Sequence, residues 1–181
     1  MSATEVFLGL GGNIGDSIAV LESAIRAISL IPGVSDVRSS HFYQTSPVSD
    51  IPQNTFVNAA CRLYSSLSAH DLLKVLQEIE KSMGKVPKAK DAPRILDVDI
   101  LFFGQEIHDD ALLTIPHPSW HERLFVLMPL KDLVRTLHIP SKEKGEGGVQ
   151  VDLEHYIDNF TNPFHEEVRM IETAVYTETN S

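Results

Sequence analysis

The stretch Arg94-Ile95-Leu96-Asp97-Val98-Asp99-Ile100-Leu101-Phe102 reads as a β-strand with two unlike faces. Side chains alternate along a strand, so Leu96, Val98, Ile100 and Phe102 point one way, into a core, while Asp97 and Asp99 point the other. Their side-chain origins stand ~6.5–7 Å apart, two residues of strand rise. Two carboxylates on one face of an otherwise apolar strand repel each other and lose hydration unless a cation sits between them. Magnesium carrying substrate phosphates is one remedy, since Mg2+ usually takes one or two carboxylates together with phosphate oxygens. A solvated sheet edge, or pairing with Arg94 and a lysine, is the other.

Working outward from that strand, Glu5–Gly11 reads as a first strand that ends in a Gly-Gly-Asn-Ile-Gly turn. Ser17–Leu30 places Ile18, Leu21, Ile25 and Ile28 at helical spacing, and Pro32-Gly33 stops it. Val34–Gln44 is a second strand, followed by a proline-bearing loop over Thr45–Asn54. Phe56–Tyr64 is a third, with Val57, Ala59, Cys61 and Leu63 on one face and Phe56, Asn58, Ala60 and Arg62 on the other. Ser68 with Asp71 opens a second helix whose buried stripe is Leu72, Leu73, Leu76, Ile79 and Met83, and Gly84 ends it. Ile95–Phe103 is the fourth strand. The order β-α-β-β-α-β is the ferredoxin-like arrangement, an α+β fold with an antiparallel sheet.

C-terminal additions follow. Ile107 and Leu112–Ile115 suggest a hairpin, Pro129 interrupts a segment that starts at Ser119, and Ser141–Gly148 is a loop by composition. Residues 1–164 read as one domain. Residues 165–181 form an acidic tail with no evident partner, expected to be loosely held.

The 181 residues are 43% hydrophobic and carry a formal net charge of -10. That charge argues against an indiscriminate nucleic-acid or anionic-membrane binder. Cys61 is the single cysteine, which excludes an intramolecular disulfide framework. The N-terminus has no basic leader, and no stretch approaches the ~20 apolar residues of a spanning helix. The expectation is a cytoplasmic protein, monomer or weak dimer, with neither a nucleic acid nor a membrane as partner.

Against that acidic background, Lys85, Lys88, Lys90 and Arg94 stand against Asp91 alone within ten positions. Basic groups beside a carboxylate pair describe a polyphosphate site, neutralised from both sides. On the third strand, Phe56 can stack on a flat heterocycle while Asn58 reads its edge. Gly9 and Gly11 share one face of the first strand and leave room for a ligand against backbone. Other motifs fail. The glycines from Gly9 to Gly15 miss the dinucleotide spacing by one position, and no GxxxxGK[ST] occurs. His117 and His121 are four apart, but Pro116 and Pro118 flank the first, which argues against a shared helical face for zinc.

Five segments in order carry a family resemblance: Leu10-Gly11-Gly12-Asn13-Ile14-Gly15-Asp16, Tyr43-Gln44-Thr45-Ser46-Pro47, Phe56-Val57-Asn58-Ala59-Ala60, Pro93 through Ile100, and Pro116-His117-Pro118 through Leu130. The chain closely resembles the 6-hydroxymethyl-7,8-dihydropterin pyrophosphokinases. That resemblance implies transfer of diphosphate from ATP to the pterin hydroxymethyl group, with release of AMP, in folate biosynthesis. It implies that Asp97 and Asp99 hold two Mg2+ ions and, with Arg94, are the catalytic residues. It implies ATP contacts from Gln77, Glu80, Lys85, Arg94, Ile100, His117 and Arg123. Phe56 and Phe125 would sandwich the pterin, with Thr45, Pro47, Val48 and Asn58 reading its edges. Asp91-Ala92 stands where the family commonly carries a tryptophan-glycine pair. Two readings from other classes are a ferredoxin-like nucleotide sensor without turnover and a two-metal phosphohydrolase.

Overall fold

Helix capping sets the first landmarks. The Asp16 carboxylate accepts the Ala19 N–H at 3.1 Å and starts α1 (Ser17–Ser29), and Ser68 Oγ accepts the Asp71 N–H at 3.1 Å and starts α2 (Ala69–Ser82), each satisfying a donor that a helix N-terminus leaves unpaired. The computed structural model describes residues 3–46, 54–85, 93–141, 147–172 and 175–178. Around the helices run β1 (Thr4–Gly12), β2 (Val34–Ser39), β3 (Phe42–Thr45), β4 (Phe56–Ser65) and β5 (Asp97–Phe103). The hairpin β6 (His108–Asp109) and β7 (Thr114–Ile115) follows, then α3 (Leu124–Leu133), β8 (Thr136–Ile139), β9 (Val149–Asp152), α4 (Leu153–Asp158) and β10 (Val168–Ile171).

The main sheet is antiparallel in the order β10-β3-β4-β1-β5, with β2 also on β4. This is the expected ferredoxin-like core. Its second strand is broken in two. Ser39 faces Cys61 and Tyr43 faces Asn58, so four steps on one strand oppose three on the other, the signature of a bulge. Ser40 Oγ fills the gap by accepting the Ala60 N–H at 2.9 Å.

The sheet has a core on each face. Val6, Leu8, Leu10, Ala59, Cys61, Val98 and Ile100 pack with Leu21, Ile25, Leu72 and Leu76 of α1 and α2. Phe7, Ala60, Leu101 and Phe102 pack on the other side with Trp120, Leu127, Leu130 and Leu153. Strict alternation would put Phe102 in the first core with Val98, and the structure corrects this. Leu8 faces Ile100 but Phe7 faces Phe102, so Leu101 is an extra residue. Phe102 therefore turns to the second core and Phe103 to the first. The carbonyl of Leu101 accepts the His117 N–H at 2.9 Å, so the bulge anchors the loop that carries that histidine.

The tail also departs from expectation. β10 pairs in register with β3, Met170 opposite Tyr43, Glu166 is buried, and Glu178 Oε2 accepts the Val37 N–H at 3.1 Å. Parts of the segment expected to be loose thus extend the sheet.

The start of β5 is fixed by a reciprocal clamp. Asn13 N–H donates to the Arg94 carbonyl and Asn13 Oδ1 accepts the Arg94 N–H, both at 2.8 Å. Beside it, a Cβ on Gly12 would lie 2.2 Å from the Ile95 carbonyl oxygen, a backbone atom that cannot step aside. Gly12→Ala should therefore lower the unfolding free energy by about 1–3 kcal/mol in urea titrations. Gly147→Ala, where the added carbon would meet nothing within 4 Å, should stay within about 0.5 kcal/mol of the parent.

Candidate active site

The sheet register assembles the site. Gly11 pairs with Asn58 on one side and Asp97 on the other, while Gly9 pairs with Ala60 and Asp99. Directly paired residues share a face, and strands lie ~4.8 Å apart, so Asn58 and Asp97 stand about 10 Å apart across Gly11, a position without a side chain. The result is a glycine floor between an amide and two carboxylates. The room at Gly11 is partly taken by the chain itself, since a Cβ there would lie 2.6 Å from Asn58 Oδ1. A Cβ on Gly9 would lie 3.4 Å from the Leu101 side chain, an ordinary contact distance. Asn58 is buried and its Nδ2 donates to Thr45 Oγ1 at 2.9 Å. Phe56 is half-buried opposite Thr45. Pro47 and Val48 lie outside the described residues, as do Lys88 and Lys90.

On the carboxylate side, charges alternate through four residues. Lys85 Nζ lies 2.7 Å from Glu80 Oε1 and 2.7 Å from Asp97 Oδ1, and Arg94 Nη1 donates to Asp97 Oδ2. Glu80 Oε1 also accepts the Val98 N–H at 2.7 Å, which ties α2 to β5. Burial raises the Glu80 carboxyl above its ordinary value, although Lys85 and the Val98 N–H oppose the shift. Desolvation works against the charge on Lys85, yet Asp97 and Glu80 together raise its ammonium above the usual value. Asp97 thus pairs with Arg94 and a lysine, one of the arrangements open from sequence.

Asp99 differs. It is exposed and has no hydrogen-bond or ion-pair partner among the described residues. Its carboxyl is raised, first by the protein mass that hems it in and then by the like charge of Asp97, against the pull of His117, Lys85 and Arg94. The site thus holds one compensated carboxylate and one open one.

His117 is half-buried, and its Nδ1 accepts the Ser119 N–H at 3.3 Å. Gln77 is on the exposed face of α2. Ile100 is buried in the first core, so it can offer a ligand only backbone. Arg123 and Phe125 meet at the start of α3, where the guanidinium lies 4.4 Å from the Phe125 ring centre. It also lies 4.8 Å from the Phe164 ring centre. Glu166, which the sequence reading missed, organises this corner. Its carboxylate accepts from Arg123 Nε and, at 2.6 Å, from the Leu124 N–H. A tail residue thus caps α3, whose own cap position, Arg123, makes no side-chain cap bond, and its negative charge suits a helix N-terminus. Nothing local in the acidic tail marks the Glu166 carboxylate out, because its partners are more than forty residues away.

A cavity of about 110 Å3 lined by Phe7, Phe102, Gly104 and His138, among others, contains none of the candidate site residues.

The family model described as 7,8-dihydro-6-hydroxymethylpterin-pyrophosphokinase (HPPK) matches residues 7–135, a span that contains the glycine floor, both aspartates, His117 and Phe125. The chain belongs to the HPPK family. A 2-amino-4-hydroxy-6-hydroxymethyldihydropteridine pyrophosphokinase of Methylorubrum extorquens is 37% identical over 150 residues, which cover 82% of this chain and 94% of that protein. The protein of the same name from Bacillus subtilis is 35% identical over 147 residues, 80% of this chain and 88% of that one. Among solved structures, a wild-type Plasmodium falciparum HPPK-DHPS superposes with a TM-score of 0.62 at 14% identity. The alignment covers 86% of this chain, which spans 41% of that longer one, and the likeness is one of fold. Glu166 and Phe164 lie beyond the span that the HPPK family model matches.

Glu166→Ala strands the half-buried Arg123 cation and uncaps α3. It should lower the unfolding free energy by about 2–4 kcal/mol, measured by chemical denaturation. Glu166→Gln, which keeps an acceptor oxygen, should lose about half as much or less.

Proposed function

We infer that this HPPK transfers diphosphate from ATP to the hydroxymethyl group of 6-hydroxymethyl-7,8-dihydropterin, releasing AMP, as a step of folate biosynthesis. The observation that carries this reading is the glycine floor, which puts a buried amide and an aromatic ring on the same sheet face as two carboxylates, one strand away. A flat heterocycle fits over the Asn58 side and a polyphosphate over the Asp97 side, with the two reacting groups meeting above Gly9 and Gly11.

Asp97 and Asp99 offer the hard oxygen donors that Mg2+ prefers, and we assign them to two such ions held with ATP. Bound there, Mg2+ supplies charge neutralisation on the phosphates and favours ionisation of the attacking hydroxyl. The chain's own residues do the positioning. Arg94 and Lys85 already stand at the carboxylates and can pass from Asp97 to phosphate oxygens when the nucleotide arrives. His117 adds donor capacity beside Asp99, Arg123 reaches the nucleotide from α3, and Gln77, Glu80 and the Ile100 backbone complete the ATP side. Phe56 and Phe125 would stack on the pterin while Asn58 and Thr45, with Pro47 and Val48, read its edges. Catalysis then rests on alignment and electrostatics, as is general for phosphoryl transfer.

A sensor that binds nucleotide without turnover has no use for a second carboxylate that makes no direct ion pair among the described residues, and Asp99 is one. No helix among the described residues is long and apolar enough to cross a membrane. The net charge of -10 disfavours nucleic acid and anionic membrane surfaces as partners, and we take the chain to be a cytoplasmic enzyme, monomer or weak dimer, whose partners are ATP and the pterin.

Incubation with ATP, Mg2+ and the hydroxymethyl-dihydropterin should yield one AMP per pterin diphosphate, resolved by anion-exchange chromatography. ADP as the main product, or nucleotide cleavage at an equal rate without pterin, would overturn the assignment.

A further inference from the structure

On the sheet face covered by α1 and α2, remote from the glycine floor in the fold's layering, three side chains of metal-ligating type converge. His70 comes from the first turn of α2, His108 from β6, and Asp110 from the turn that joins β6 to β7. One ligand atom from each lies within 4.8 Å of the others. His70 Nε2 is 2.9 Å from Asp110 Oδ2, and the two imidazole rings meet at a tilt of 70° with centres 5.1 Å apart. Donor atoms bonded at 2.0–2.1 Å to one tetrahedral ion stand about 3.3 Å apart. The His70–Asp110 separation is already close to that edge, and the remaining distances, at most 4.8 Å, need to shorten by up to about 1.5 Å.

The surroundings orient these groups as outer partners do in metal sites. Asp110 Oδ1 accepts the Leu112 and Leu113 N–H groups at 2.9 and 3.1 Å, which fixes the carboxylate with Oδ2 toward His70. His108 Nε2 lies 2.7 Å from Glu106 Oε2. A carboxylate there accepts, so Nε2 keeps the proton and Nδ1 keeps its lone pair. The positive end of the α2 dipole disfavours a cation, and the charges of Asp110, Glu106 and Asp71 oppose that effect.

We propose that His70, His108 and Asp110 form a second metal site, for a borderline divalent cation such as Zn2+. Two imidazoles and one carboxylate select Zn2+, Co2+ or Ni2+ over Mg2+, so this site differs in chemistry from the carboxylate pair of β5. Three protein ligands leave a fourth position for water. The ion would staple the start of α2, the helix that carries Gln77 and Glu80, to the hairpin whose second strand runs directly into His117. The proposal stands whether or not the chain is a pyrophosphokinase.

The test is titration of the full, chelator-stripped chain with Zn2+ by calorimetry and with Co2+ by visible absorption. One equivalent should bind, millimolar Mg2+ should not displace it, and the melting temperature should rise. His70→Ala and His108→Ala should each weaken binding by about tenfold or more and abolish the thermal shift, while Asp99→Asn should leave both intact. Circular dichroism establishes that each variant is folded; if His108→Ala is not, His70→Gln at the exposed start of α2 carries the test. Absence of saturable binding, or full-strength binding in both histidine variants, would overturn the proposal.

Discussion

Four charges in a row, Glu80, Lys85, Asp97 and Arg94, hold the working end of this protein together. The row begins inside the protein, where Glu80 is 5% exposed and takes the backbone N–H of Val98. A buried carboxylate without a cation would be costly, so Lys85 must lie against it, and Lys85 in turn reaches Asp97. Helix α2, the residue that closes its C-terminal turn and strand β5 are thereby fixed to one another by a single electrostatic chain. The same cations that stabilise Asp97 here are those a polyphosphate would require. On the proposed function, stability without substrate and affinity for substrate would be two uses of one set of charges.

Backbone geometry does the rest. Gly9 and Gly11 leave two positions of β1 without side chains between Asn58 on one neighbouring strand and Asp97 and Asp99 on the other. Gly12 lets the backbone at Ile95 approach, and the Asn13–Arg94 clamp fixes where β5 begins. Two bulges then re-aim what regular pairing would misplace. The one at Leu101 frees a carbonyl to hold His117, and the one near Ser40 redirects β3 toward Asn58. Bulges beside functional residues are a common way to turn a side chain without breaking a sheet.

Much of this was legible in the sequence because it obeys short-range rules. The periodicities of α1, α2 and β4 and the two-residue spacing of Asp97 and Asp99 need only neighbouring residues to be read. What escaped was set by pairing across long distances. Alternation alone sends Phe102 into the wrong core, because a bulge has no local composition. The role of Gly11 as the seat of the Asn58 amide follows from register with a strand nearly fifty residues on. Glu166 reads as one more acid in an acidic tail until β10 joins the sheet and carries it to Arg123. The pairing of Asp97 with Arg94 and a lysine was open from sequence, and the fold chose it for one aspartate and not the other.

That asymmetry is the central claim, and unfolding free energies of the parent, Asp97→Asn and Asp99→Asn, in the absence of nucleotide and divalent metal, test it most directly. Asp97→Asn releases Lys85 and Arg94 from a partly exposed pairing and should destabilise by about 1–2 kcal/mol. Asp99→Asn removes a charge that desolvation and the neighbouring Asp97 disfavour and that makes no direct ion pair among the described residues, so stability should hold or rise. Equal losses in both variants, or a larger loss for Asp99→Asn, would contradict the account.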